Sequence, residues 1–463
     1  MVTATPCEQF RALRAERPFS WRARAPAGGV AGSLGRKRSV TLARGSVDAP
    51  MPWPRPRTPR ASRFQRNRDA GEAQRATALE LFYDLVFVFA ITQVSHLLLD
   101  NLSWLGAGEA LLALLVVWWA WNYTTWVTNE LDPDSTAVRL LLIWLMLLTL
   151  VLSIAIPDAF GERALLFAGS YVAIQLSRHV FLTFIAASRG TIERERAGRI
   201  LFWFVVAGVF WIAGAFADDG TRAALWILAL AIDLAAPLHL YSIPGRPRLS
   251  HSTWDVETSH FAERFQLFMI IALGETIVLT GATTAGLNLD FARVTAFALA
   301  FAATAALWWL YFDYVARIAE RRLALAPNRT QLARDGYTYL HAILVAGIIL
   351  AAVGDELVIA HPTEELPRAE LLAVVAGPAI YLLGHALFRW RMAGSIAWKR
   401  LAGAVACLLV CVVGFELPAL AVGALLVGVL VAVIAAEQVA ATRRRSRGEP
   451  SPLERLEAGV ESK

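Results

Sequence analysis

Seven ionisable side chains sit in stretches that are otherwise apolar. Glu80 and Asp84 share one such run, Arg178 and His179 lie in a second, and Glu263, Arg264 and Glu275 lie in a third. Carboxylates, guanidinium groups and imidazoles can pass protons, hold cations or bind one another as ion pairs. In water this would mean little. At mid-bilayer a charged side chain costs at least about 2.5–3.5 kcal/mol, so such groups face protein or water and most find partners. Arg264 and Glu275 are eleven residues apart. On a helix they fall about 20° short of a common face and roughly 17 Å apart along the axis. Glu275 therefore sits deep, beside Gly274, where a neighbouring helix is expected to approach closely. Glu80 and Asp84 share a face one turn apart. Glu80 is expected to reach the headgroups and Asp84 to stay buried, with Arg264 as the natural partner of Glu80 or Asp84 and Arg178 as a second candidate. The plainer alternative stays open: Glu80 and Glu263 as helix-start acids, and Asp84 and Glu275 as neutral or paired groups that fix helix packing.

The elements that carry these residues are set by hydropathy. Hydrophobic residues make up 57% of the 463-residue chain and charged residues 18%, against about 25% charged in a soluble domain. The apolar residues arrive in runs of about 20, the length of a bilayer-crossing helix. Twelve helical spans are expected, at 79–99, 109–128, 139–156, 164–186, 199–217, 222–241, 261–281, 291–313, 337–358, 370–388, 398–414 and 418–439. The fold class is all-α, a polytopic membrane helix bundle.

Arginine separates the loops into two sets. Gaps after even-numbered spans hold most of the Lys and Arg, as do both ends of the chain. Gaps after odd-numbered spans hold only Arg163, Arg222, Arg293 and Arg368. With positive residues inside, both termini are cytoplasmic. The chain also repeats. Trp118-Trp-Ala-Trp121 matches Trp308-Trp-Leu-Tyr311, Leu176-Ser-Arg-His179 matches Leu382-Leu-Gly-His385, and Arg199 and Arg400 open spans 5 and 11. Six spans per half is even, so the repeat is parallel. The expected organisation is a disordered basic arm over 1–75, six-helix repeats over 76–245 and 246–441, and a cytoplasmic tail over 442–463. The arm is rich in Arg, Pro, Gly and Ser and has few bulky apolar residues to bury.

Other chemistry finds no foothold. Cys7, Cys407 and Cys411 make neither a disulfide framework nor a zinc spacing. His251, Asp255, Glu257, His260 and Glu263 resemble a metal cluster, but no second Glu-x-x-His stands opposite them. There is no P-loop, nucleophile elbow or dinucleotide fingerprint. No cofactor, metal or nucleic-acid partner is expected. The expected partners are the lipid bilayer and an ion or small solute.

The run Leu79-Glu-Leu-Phe-Tyr-Asp-Leu-Val-Phe-Val-Phe-Ala-Ile, followed by His260-Phe-Ala-Glu-Arg-Phe and Leu273-Gly-Glu275, resembles the bacterial low-temperature-requirement A proteins. The resemblance spans about residues 75–440 and implies Glu80, Phe82, Asp84, His260, Glu263, Arg264, Gly274 and Glu275 as motif positions. It implies a bacterial plasma-membrane protein and no particular reaction. Acids, His and Arg at membrane depth in a duplicated bundle point to a transporter or channel. The alternatives are a structural or sensory membrane protein, or an intramembrane enzyme using Asp84 or Glu275 as acid or base.

Overall fold

Small polar residues start the helices. Thr77, Ser103, Thr191, Asp218 and Asp290 each accept a hydrogen bond from the first turn of the helix that follows. This satisfies backbone N–H groups that no carbonyl of the helix can reach. The structure is a computed structural model that describes Phe64 and residues 75–461. In chain order the helices are α1 (Ala78–Asp100), α2 (Trp104–Glu130), α3 (Thr136–Ala155), α4 (Ala164–Phe181), α5 (Ile192–Ala215), α6 (Asp219–Leu238) and α7 (Thr258–Ala285). Then follow α8 (Phe291–Phe312), α9 (Val315–Ala324), α10 (Arg329–Leu332), α11 (His341–Ala360), α12 (Arg368–Ala393), α13 (Trp398–Gly414), α14 (Ala419–Ser446) and α15 (Pro452–Glu461). Two π-helical segments interrupt the regularity: Leu182–Ala186 prolongs α4, and Ala333–Leu340 joins α10 to α11.

Eleven of these helical stretches are long and apolar enough to cross a membrane. The remaining expected span, the eleventh in order, is α13, shorter at 17 residues. Its contacts show how far it reaches. At its start Arg400 pairs with Glu437 near the end of α14, and Lys399 donates to the Ala436 carbonyl. At its other end the loop into α14 meets the loop before α12, where Ala419 N–H donates to the Glu364 carbonyl and Leu420 N–H to that of Pro362. α13 therefore runs between the same two levels as its neighbours.

The first six helices pack in sequence: α1 against α2 and α3, then α3 on α4, α4 on α5 and α5 on α6. Further along, α7 packs against α8 and α11, then α11 on α12, α12 on α13 and α13 on α14. α1 and α7 touch and run in the same direction. Their contacts advance together along both, from Glu80–His260 to Asp84–Arg264 to Thr92–Glu275.

The polarity of the bundle is reversed relative to a soluble domain. Leu85, Val209 and Leu409 are each at least 60% exposed on the outer face, while Arg178, Arg264 and Glu80 are fully buried. In lipid that is the stable arrangement, because polar groups find partners only inside. The tryptophans of the repeated motif part company. Trp118, Trp119 and Trp121 are core residues, whereas Trp308 and Trp309 are 46% exposed. Gly274 does not serve the close approach expected of it, since a Cβ there would meet nothing within 4 Å. The close approach lies between α11 and α12 instead. A Cβ on Gly377 would fall 2.5 Å from the Ala351 nitrogen, and one on Gly347 would fall 2.6 Å from the Tyr381 nitrogen.

The expected disordered arm falls on residues outside the described ones, apart from Phe64 and Arg75 onward. Phe64 is buried, meets the Phe181 ring edge-on at 5.9 Å, and accepts from the Asp132 N–H at 2.8 Å. Phe64 is one of the few bulky apolar residues of the arm, and it contributes its surface to the bundle.

Candidate functional site

The parallel packing of α1 and α7 brings two N-terminal turns side by side, and the densest polar network forms there. Glu80 is the third residue of α1 and completes a capping box with Thr77. Its Oε2 accepts from the Thr77 N–H and hydroxyl, both at 2.9 Å. Its Oε1 faces α7, where it lies 3.0 Å from His260 Nε2 and 3.1 Å from Arg264 Nη1. Glu80 is thus a helix-start acid and an ion-pair partner at once. It is fully buried and does not reach the headgroups, because α7 covers it.

Asp84, one turn deeper, accepts from Arg264 Nη2 at 2.5 Å and from Trp121 Nε1 at 2.7 Å, both on Oδ1. Arg264 is the expected partner, and it holds both acids with one guanidinium. The imidazole of His260 is oriented by Asn129. The Asn129 amide oxygen accepts from Glu257 N–H, and its Nδ2 donates to the Glu257 carbonyl and faces His260 Nδ1 at 3.1 Å. That pattern makes Nδ1 the acceptor and leaves the proton on Nε2, which donates to Glu80. Glu257 caps α7, accepting from the N–H groups of Ser259 and His260. Glu263 turns the other way and accepts from Ala76 N–H at 2.8 Å, tying the approach to α1 onto α7. Glu257, His260 and Glu263, three of the five residues that resemble a metal cluster in sequence, are engaged in this way. Among the described residues no group of three or more such side chains could hold a metal ion.

Above this network lies an aromatic layer. Trp121 packs on Phe268 at 4.2 Å and on Phe265 at 4.9 Å, Trp118 on Phe268 at 5.4 Å, and Phe87 on Phe268 at 6.4 Å. Beyond it stands Glu275, 1% exposed. Its Oε2 lies 2.6 Å from the Thr92 hydroxyl, and its Oε1 has no protein partner. Among the described residues no cation pairs with Glu275. Glu356 of α11 and His96 of α1 lie within its electrostatic reach.

Arg178 and His179 lie elsewhere. Arg178 donates to the Ala120 carbonyl at 3.1 Å, to Thr124 Oγ1 at 2.8 Å and to the Gln175 side chain, and its guanidinium lies over the Tyr123 ring at 5.4 Å. No carboxylate pairs with it among the described residues, so the second candidate pairing, of Arg178 with Asp84, does not form. Arg264 occupies Asp84, and Arg178 is held by carbonyl, hydroxyl and amide dipoles. A link remains through Thr124, whose hydroxyl also takes the Tyr83 proton at 2.8 Å. His179 donates Nδ1–H to the Gln175 carbonyl at 2.9 Å and lines a separate cavity. Of the other histidines inside the expected spans, His341 accepts from the Tyr311 hydroxyl at 2.9 Å, His385 is buried with neither ring nitrogen hydrogen-bonded among the described residues, and His96 and His239 are exposed.

Sequence reasoning passed over four contributors. Trp121 and Asn129 carry no charge and gave no depth signal. Asp355 and Glu356 lie inside the ninth expected span and could have been found by the same argument as Asp84. Asp355 lines a cavity of about 30 Å³ between α8, α11, α12 and α14.

The pattern of the family described as bacterial low temperature requirement A protein (LtrA) matches residues 75–435. An uncharacterized protein of Rhizobium meliloti (strain 1021) is 38% identical over 313 residues, which is 67% of this chain and 76% of that one. No solved structure matches the chain. The matched span begins just before the Thr77–Glu80 cap and takes in both halves of the α1–α7 network, and on this evidence the chain belongs to the bacterial low temperature requirement A family.

Proposed function

We propose that the protein moves protons or a small cation across the bacterial plasma membrane along the seam between α1 and α7. The observation that carries this reading is Glu275, a carboxylate buried halfway along the seam that faces the hydroxyls of Thr92 and Ser95 and forms no ion pair among the described residues. A lone buried carboxylate is costly, and binding a proton or cation removes the cost. Thr92 adds a geometric argument. Its single hydroxyl proton faces two acceptors, the Val88 carbonyl at 3.1 Å and Glu275 Oε2 at 2.6 Å. Both contacts are full hydrogen bonds at once when Glu275 itself carries a proton.

The rest of the seam fits a pathway. Glu80, Asp84 and Arg264 stand at one end, Glu356 and His96 beyond Glu275 at the other, and the aromatic layer around Phe268 blocks free leakage between. Two features of the fold support a tandem parallel repeat around this seam. The packing order of α1 to α6 recurs in α7, α8 and α11 to α14, and the equivalent helices α1 and α7 are parallel neighbours. Twelve crossings then put both termini in the cytoplasm.

A second reading has its own observation. Arg264 satisfies both Glu80 and Asp84, and a buried ion pair of that kind can serve helix packing alone. Proteoliposomes loaded with a pH-sensitive dye separate the two. Under an imposed membrane potential the purified protein is expected to carry protons or a monovalent cation, and Glu275→Gln is expected to abolish the flux while the protein stays folded. Absence of flux in the unmodified protein, or full flux in Glu275→Gln, would remove the transport reading.

A further inference from the structure

Four irregularities of the backbone meet at one place. Leu240 and Tyr241, with φ of 52° and 51°, are the non-glycine residues in the left-handed region among the described residues. Bulky side chains rarely adopt that conformation, and where they do a surrounding site commonly holds them in it. The π-helical segments Leu182–Ala186 and Ala333–Leu340 are the other two, and such segments recur at functional sites. All four contribute wall to one cavity of about 100 Å³, bounded also by α2, α5 and the segment before α7. It shares no residue with the α1–α7 network.

We propose that this cavity binds a small uncharged aromatic molecule that carries both a hydrogen-bond donor and an acceptor, as a phenol does. The walls are aromatic: Tyr123, Trp126, Tyr241 and Trp254 all face it, and the Tyr123 and Tyr241 hydroxyls bond each other at 2.6 Å. The arginines at its edge have acidic partners. Arg196 pairs with Glu130 and lies 5.4 Å from the Trp254 ring centre, and Arg334 shares Asp335 with Arg391. Glu193 stands at the rim, and the fully buried groups left open are neutral. Asn122 is fully buried, its oxygen accepts from the Thr338 hydroxyl at 3.1 Å, and its Nδ2 has no partner. His179 spends Nδ1–H on the Gln175 carbonyl, so its Nε2 carries a lone pair. A buried amide donor and an imidazole acceptor in an aromatic cavity select a molecule that can answer both. A closed dry cavity of ~150 Å³ takes benzene; this one is smaller but open at its mouth, so a single ring with part of its body in the mouth is the occupant it suits.

The test uses the full chain in detergent, with phenol as probe and benzene, benzoate and benzylammonium as comparators. Binding is read by saturation-transfer NMR and by the thermal midpoint. Phenol is expected to bind saturably and raise the midpoint, with benzene about tenfold weaker for want of the hydrogen bonds and neither ion competing. Asn122→Leu is expected to weaken phenol about tenfold. Ala197→Phe, which fills the cavity from α5, removes the saturable part and leaves partition into the micelle. Ala197→Leu takes its place if that variant fails to accumulate. Non-saturating phenol response, saturable binding that survives the filled cavity, or tighter binding of either ion would overturn the proposal.

Discussion

One guanidinium serving two carboxylates makes a distinctive energetic prediction. Glu80→Gln keeps the capping box, since Gln can reach back to Thr77 as Glu does, and leaves Arg264 paired with Asp84. Asp84→Asn keeps an oxygen for Trp121 and leaves Arg264 paired with Glu80. Each single change is therefore expected to cost about 1–2 kcal/mol. The double change strands Arg264 in the interior and is expected to cost about 3–5 kcal/mol beyond that of either single, because a buried charge then has no counter-charge. Denaturant unfolding of the four proteins measures the coupling, and strictly additive losses would show that Arg264 is neutralised some other way. The Asp84–Arg264 pairing was legible in the sequence, since both the depth and the face of each residue follow from helical periodicity. The partners of Arg178 were not. Its charge is met by the Ala120 carbonyl, Thr124 and Gln175, groups that look unremarkable in a sequence because every span contains such atoms. Glu80 was legible only in halves, as a cap or as a partner, since its two oxygens do both.

At the scale of elements, helix existence was readable from the length of apolar runs, and the positions agree with the expected spans within a few residues at most ends. The π-helical segments were not readable. A shift of hydrogen bonding by one residue leaves no mark in hydropathy, and it is tertiary contact around the cavity that selects it. Glycine shows the same limit. Gly274 and Gly377 both look like close-approach residues in sequence, yet one faces open space and the other faces the backbone of Ala351. The difference predicts opposite outcomes. Gly274→Ala is expected to be neutral or to stabilise by up to ~1 kcal/mol, the helix-propensity gain of Ala over Gly. Gly377→Ala forces α11 and α12 apart and is expected to lower the thermal midpoint by several degrees, as overpacking by ~1–3 kcal/mol does. Equal behaviour of the two variants would mean that α11 and α12 are not in backbone contact.

At the scale of the whole molecule, the direction of α1 and α7 constrains topology. Two helices that meet at matching depths and point the same way, with the chain passing from one to the other through the membrane, are separated by an even number of crossings counted from the first to just before the second. The six helices α1 to α6 meet that condition. The second half returns the chain to its starting side only if α13 crosses. Its 17 residues rise roughly 26 Å at 1.5 Å per residue, a little under the ~30 Å hydrocarbon core, and helices of this length do span by local thinning of the bilayer. The contacts of Arg400 with Glu437 at one end and of the Glu364–Ala419 loops at the other place those ends at opposite faces. The arginine-rich ends of α12 and α14 then share a side, as the positive-inside rule asks. A reporter fused after Lys463 is accordingly expected to read cytoplasmic, one placed in the 286–290 loop outside, and one in the 394–397 loop cytoplasmic. If the fusions at 394–397 and after Lys463 report opposite sides, α13 does not cross, and the parallel six-plus-six arrangement goes with it.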